Sequence, residues 1–443
     1  INDADKRVFY VNPNANYGDV KITSSGTASK PRYLALHDGS LLHPAQLPRT
    51  KQANVRLTFN GAAYWFVHRL SALDIPDRAA MSIENVSTDI VIDRMNFANF
   101  GTAIQVNGRS TTPTTRKITI QHCRMDPMSA KGIDGDRVAI ILSGSPWRDD
   151  HIVEDVHILD NEIRNCNDSV MLIRHPELPG GQKVNYPGTV IDCNHMYVDS
   201  DVYTDGKGHH DAKGLWAWTE NAIDLKGGSD DPKRPLIISH NYMWGYRHTD
   251  QNGGGSGSWG TAFDGHFHVK NLEVFDNVVF DSNRGLAFGA PYGLPYSVEN
   301  LHAYNNIFYN IGFSTSGGSE YCHYFYASKN VIYEHNTVVG IAKHSTWISH
   351  KGDEKGMQVV CNAIVDSATE RGTRASGTVV KDNFFYGTDR KKTADGKTPT
   401  TAAAAQLGDL KFTTDRYTNK PREITLPGVK TTPTSPHAPW CSP

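Results

Sequence analysis

The 443-residue sequence balances 45 Lys and Arg against 47 Asp and Glu, a formal net charge of −2, which leaves no basic excess for nucleic-acid binding. Its longest apolar runs fall far short of a bilayer span, which excludes insertion as a transmembrane helix. Six cysteines without a CxxC pair exclude the common zinc modules, and 19 Tyr with 8 Trp supply rings that pack at corners or stack on sugars.

The chain opens at Ile1 with no methionine and no charged-then-apolar leader, which reads as a mature secreted or periplasmic protein whose targeting peptide has been removed. Residues 1–80, with RVFYVNPNANYGDV, VRLTFNG and YWFVHRL, read as N-terminal strands and a cap. From about 81 to 390 a template recurs: an apolar pair, two variable residues, an asparagine and another apolar residue two places on. It is clearest in NLEVFDNVV (271–279), NLHAYNNIF (300–308) and NVIYEHNTV (330–338). The recurring asparagines are Asn161, Asn194, Asn241, Asn277, Asn306, Asn336, Asn362 and Asn383, spaced by 33, 47, 36, 29, 30, 26 and 21 residues.

Short alternating strands at such a period, with no helical pattern between them, predict an all-β fold: a single-stranded right-handed parallel β-helix, a solenoid with an asparagine ladder. Like residues fall above one another in successive coils, so each ladder amide can bond the next, and Met95 and Cys123 are expected in the same column. Cys123, Cys193 and Cys361 read as buried small side chains. Cys441 is expected in a disulfide that ties down the 391–443 tail on the outside of the helix, with Cys322 as the candidate partner. Lone histidines such as His302, His323, His335 and His344 read as outward fillers or substrate contacts.

The coil pattern is interrupted longest at 197–220 and 245–262, and long loops on a rigid scaffold commonly build binding surfaces. Between them lie strands aligned as SVMLIRH (169–175), NAIDLKG (221–227) and TAFDGHF (261–267). This alignment stacks Asp224 under Asp264 and puts Arg174, Lys226 and His266 in a second column on the same outward face. A cluster of carboxylates and cations suits β-elimination on a uronic-acid polymer, which requires neutralising the sugar carboxylate, removing the C5 proton and protonating the departing O4. Lys226, its pKa lowered by Arg174 and His266 and raised by Asp224, is the candidate base; His266, Arg247 or Tyr246 is the candidate acid. Arg174, His210, Trp216, Tyr246, His248 and Arg284 are the candidate substrate contacts. Three other readings stand beside this one. Asp224 and Lys226 can be a surface ion pair, Asp224 and Asp264 can be the carboxylates of a retaining glycoside hydrolase, and the solenoid can be a non-catalytic carbohydrate-binding fibre or adhesin.

The asparagine-laddered pattern with a basic residue ending NAIDLKG resembles the polysaccharide lyases of the chondroitinase B and alginate lyase family, and more loosely the family-nine pectate lyases. The resemblance covers residues 81–390 in pattern. It implies a lysine base at Lys226 and, where arginine stands one coil later in the family, His266 here. It also implies calcium where the family uses it, with Glu220 and Asp224 as oxygen ligands. The expected partner is an acidic polysaccharide, and the expected state a monomer.

Overall fold

A computed structural model describes residues 5–37, 44–48, 51–108, 114–127, 137–143, 152–173, 185–198, 220–246, 260–289, 295–309, 311, 321–339, 346–365, 377–381, 383–386, 411–414 and 421–425. A 13-stranded sheet runs along one side, one strand per coil. Each complete coil adds a three-residue strand in a second sheet and a longer strand in a third. Thus Val269–Phe275, Val278–Phe280 and Arg284–Phe288 pair in parallel with Val298–Tyr304, Ile307–Tyr309 and Tyr321–Tyr326 of the next coil. The expected parallel β-helix is the fold.

Alternation decides what goes inside. In the first sheet Ile118, Ile120, Val156, Ile158, Leu272, Val274, Leu301 and Ala303 point inward and are buried; in the second Met196, Met243, Val279 and Phe308 do so; in the third Val170, Leu172, Ile223, Leu225, Phe263 and Leu286 do so. One continuous apolar core results, the main source of stability in a solenoid. Among the described residues no helix is long and apolar enough to cross a membrane.

The coils begin earlier than 81. Val8–Val11 pairs with Arg32–Leu36, and Asn16–Ile22 with Asn54–Asn60, both in parallel, so the parallel pairing of the coils already runs through these strands. These coils escaped the template because Leu70, Met95 and Cys123 occupy the corner that asparagine takes later; Asn96, Arg124 and Glu162 each donate a backbone N–H to the carbonyl of that corner residue one coil back.

The corner has two ingredients. The residue before it adopts a left-handed conformation in coil after coil: Asp160, Cys193, His240, Asp276, Asn305, His335 and Cys361 all have φ between 51° and 60°. Asp, Asn and His tolerate this region best among non-glycine residues. The corner residue itself then turns its amide inward. The Nδ2 groups of Asn161, Asn194, Asn241, Asn277, Asn306, Asn336 and Asn362 each donate to the Oδ1 of the next ladder asparagine at 2.8–3.2 Å. Each Oδ1 also accepts the preceding corner residue's backbone N–H, beginning with Cys123 to Asn161 at 2.9 Å. A shorter, more exposed ladder runs outside, Asn330 to Asn300 to Asn271; these residues open the three clearest template copies.

Asn277 alone takes part in five such bonds, with Asn241 N and Nδ2 as donors to it and Ile238 O, Phe275 O and Asn306 Oδ1 as acceptors from it. Asn277→Leu leaves buried backbone groups unpaired at about 1–3 kcal/mol each. A clear fall in melting temperature is expected, with turnover per folded molecule kept; loss of turnover in a fully folded variant would make the ladder more than structural.

The assignments of one histidine and of several cysteines change. His323 is not outward: it pairs in register with Leu286 inside the core. Leu286 N–H donates to its Nδ1 at 3.2 Å, and its Nε2 meets the Tyr333 hydroxyl at 2.7 Å. Burial pushes its pKa down to about 3, so it is a neutral core residue. Cys322 is a free buried thiol; of the three cysteines expected as small buried fillers, Cys123 is buried, Cys193 is disulfide-bonded and Cys361 is exposed. Cys441 lies outside the described residues. Of the tail, Lys411–Thr414 and Pro421–Thr425 form an antiparallel ribbon.

Candidate active site on the third sheet

The outward face of the third sheet carries the charged cluster. Ile223 and Leu225 point into the core, so Asp224 between them points away, and it pairs with Asp264 of the next coil as the alignment expected. One coil earlier the register differs from that alignment by one residue: Met171 stands across from Asp224 and Leu172 across from Leu225. The core is the reason, since Val170 and Leu172 must face inward, and the slip flips every neighbour. Continued, this register sets Ile173 beside Lys226. Arg174 lies outside the described residues, as do His210, Trp216, Arg247 and His248.

Lys226 and His266 follow their strands in matching positions. Lys226 Nζ donates to Asp224 Oδ2 at 2.8 Å, and His266 Nε2 lies 2.8 Å from Asp264 Oδ2 and 3.8 Å from Asp224 Oδ1. The four side chains form one ion-paired cluster across two coils, layered by depth. The Asp224 and Asp264 side chains are 2% and 6% exposed, whereas those of Lys226 and His266 are 27% and 22% exposed. The anions form the floor and the cations the surface.

The proton affinities follow from this layering. Burial pushes Asp224 up, with Asp264 adding to the rise, and Lys226 and His266 offset only part of it. Burial alone would lower Lys226, but Asp224, helped by Asp168 and Glu220, more than reverses that, so its pKa is raised. This corrects the expectation of a lysine whose pKa is lowered by neighbouring like charge. His266 is likewise pushed down by burial and carried up by Asp264 and Asp224. Lys226 therefore rests as a cation, and His266 holds its proton further up the pH scale than a free imidazole.

A further carboxyl, absent from the sequence-based candidates, stands behind the cluster. Asp168 is fully buried, has an Oδ1 without a hydrogen-bond partner, and is held well above the usual carboxylate range by burial and by the charges of Asp224 and Glu220. Its signal was one acidic residue at the head of SVMLI. Tyr246 is withdrawn from the candidates: it is buried in the core, its hydroxyl 2.6 Å from Ser169 Oγ. Arg284 is buried at the start of its strand, in register with Thr261. Glu220 is half-buried, its backbone bonded to Asn167 and Thr261.

The fit of a calcium ion at Glu220 and Asp224 is poor, because Asp224 already faces Lys226 and His266, and a carboxylate ringed by cations offers little to a divalent ion. Among the described residues one trio has metal-ligand spacing, Asp192, Cys193 and His240. It lies at the outer corner of the first sheet, and its sulfur is tied up in a disulfide.

No protein-family model and no curated protein matches the sequence. Solved structures do resemble the fold. The family 136 glycoside hydrolase lacto-N-biosidase from Eubacterium ramulus has a TM-score of 0.40 and 9% identity, covering 85% of this chain and 62% of its own. A mannuronic acid-specific family 6 polysaccharide lyase from human gut microbiota has 0.39 and 13%, covering 89% and 85%. The surface adhesin PfbA of Streptococcus pneumoniae has 0.41 and 13%, covering 94% and 90%. The chain spans less than two thirds of the length of the first of these, and its function is argued from its own site.

Proposed function

We propose that this chain is a polysaccharide lyase that cleaves a uronic-acid-containing polymer by β-elimination, with Lys226 as the base and His266 as the acid. The observation that carries this reading is the layering of the cluster: cations are presented outward over buried carboxylates. A retaining glycosidase needs the reverse, two carboxyls open to the sugar. A surface of Lys226 and His266 suits an anionic sugar.

The buried pair supplies the base. Lys226 rests as a cation on Asp224, and a bound polymer removes the remaining water from both. Two charges in a drier site cost more than two neutral groups, so the proton moves from Nζ to the Asp224 carboxylate, whose affinity is already raised. The neutral amine takes the C5 proton, the electron pair forms the C4–C5 double bond, the C4–O4 bond breaks, and imidazolium at His266 protonates O4. Neutralising the sugar carboxylate falls to Arg174 or Arg247 from the flanking segments.

The test is a panel of uronate polymers, alginate, pectate, glucuronan and glycosaminoglycans, followed by ultraviolet absorbance of the unsaturated product and by reducing ends. Both signals together support elimination; reducing ends without the absorbance support hydrolysis; binding without either supports an adhesin. Activity is expected to survive exhaustive chelation. Its loss, with recovery on adding calcium, would transfer carboxylate neutralisation to that ion.

A further inference from the structure

The position occupied by Lys226 and His266 continues along the helix. The register of the third sheet carries it through Gly289, Tyr326 and Lys351 on the next three coils, and Gly289 N–H bonds Gly265 O just below. At Gly289 the strand offers no side chain, and among the described residues a Cβ built there would meet only His266 Nδ1 at 3.7 Å and Gly265 O at 3.8 Å. Beyond this dip stand Tyr324 and Tyr326, both half-buried, with ring centroids 6.5 Å apart and planes inclined at 55°. The exposed Lys351 places its Nζ 5.3 Å from the Tyr326 ring centroid.

We infer that Tyr324, Tyr326 and Lys351 form a distal subsite for the same acidic polymer, which lies along the helix axis across Gly289. Successive coils are spaced by roughly 4.8 Å, so His266 and Tyr326 are roughly 10 Å apart along the axis, room for two sugar rings. The aromatic faces take the apolar side of a pyranose ring, and Lys351 at the rim takes its carboxylate. Gly289 keeps the path between them open. The surface is continuous with the charged cluster and has the same sign of charge, which selects an anionic glycan. This inference rests on the uronate reading above.

The experiment measures calorimetric binding of dimeric and hexameric oligogalacturonate, oligomannuronate and uncharged oligoglucose to the Lys226→Ala chain, whose lowered rate leaves them intact during the titration. Tyr326→Ala and, separately, Lys351→Ala are then added; Lys351 is exposed, so its variant carries little folding risk. The expected result is that a uronate hexamer loses roughly tenfold in affinity while the dimer, too short to reach Tyr326, does not, so the hexamer-to-dimer ratio collapses. Equal losses for both lengths, or none, overturn the subsite and leave the proposed reaction standing. A length-dependent loss seen with oligoglucose instead keeps the platform and removes the uronate reading, and no binding by any probe overturns both.

Discussion

Lys226→Ala is expected to lower the rate of uronate-polymer cleavage roughly 10²–10⁴-fold, the usual contribution of a general base, with substrate affinity largely kept. The expectation follows from position and contact. Lys226 stands at the outward end of its strand, its Nζ 2.8 Å from a buried carboxylate of raised pKa, so it has both access to a sugar and a place to put its own proton. Lys226→Arg is expected to fail to a similar extent, because a guanidinium keeps its charge and cannot accept the C5 proton. Because Asp224 raises Lys226 and also receives its proton, the pair keeps the same number of protons when the amine becomes the base, so kcat/KM for the wild type should not need alkaline pH to free the amine. Near-normal activity in Lys226→Ala would remove this residue from the chemistry.

Asp264→Asn is expected to move the alkaline limb of the kcat profile to lower pH without abolishing turnover. Burial depresses His266, and the Asp264 carboxylate 2.8 Å away, together with Asp224, more than offsets it. A raised pKa keeps the imidazole protonated further up the pH scale; without the carboxylate it deprotonates sooner, and the acid that serves O4 is lost at lower pH. A hydrolase would respond differently, since it would need Asp264 itself and lose its rate at every pH. Total loss of activity in Asp264→Asn with activity retained in Lys226→Ala would therefore replace the lyase reading with the hydrolase.

The ladder asparagines were legible because a solenoid repeats one environment at each corner, and an amide that bonds its own copy one coil away is selected at every turn. The preceding Asp, His, Asn or Cys was equally regular, and its left-handed φ explains a position that the template left as variable. The pairing of Asp224 with Asp264 was readable too, because NAIDLKG and TAFDGHF alternate in the same way. The first coils were not, since Leu70, Met95 and Cys123 fill their corners with apolar groups that leave no periodic mark.

By itself, then, the sequence determined the solenoid, the ladder and the charged residues of two adjacent coils, all of which depend on local alternation and repetition. Only the tertiary structure decided the rest. Burial of Val170 and Leu172 set the register that brings Ile173, not Arg174, into line with Lys226, and the core claimed Tyr246 and His323. Depth decided the electrostatics: Asp224 and Asp264 lie under Lys226 and His266, and desolvation, which no sequence position reveals, raises the Asp224 carboxyl. The line from His266 across Gly289 to Tyr326 and Lys351 joins residues far apart in the chain, and only the stacking of coils makes them one surface.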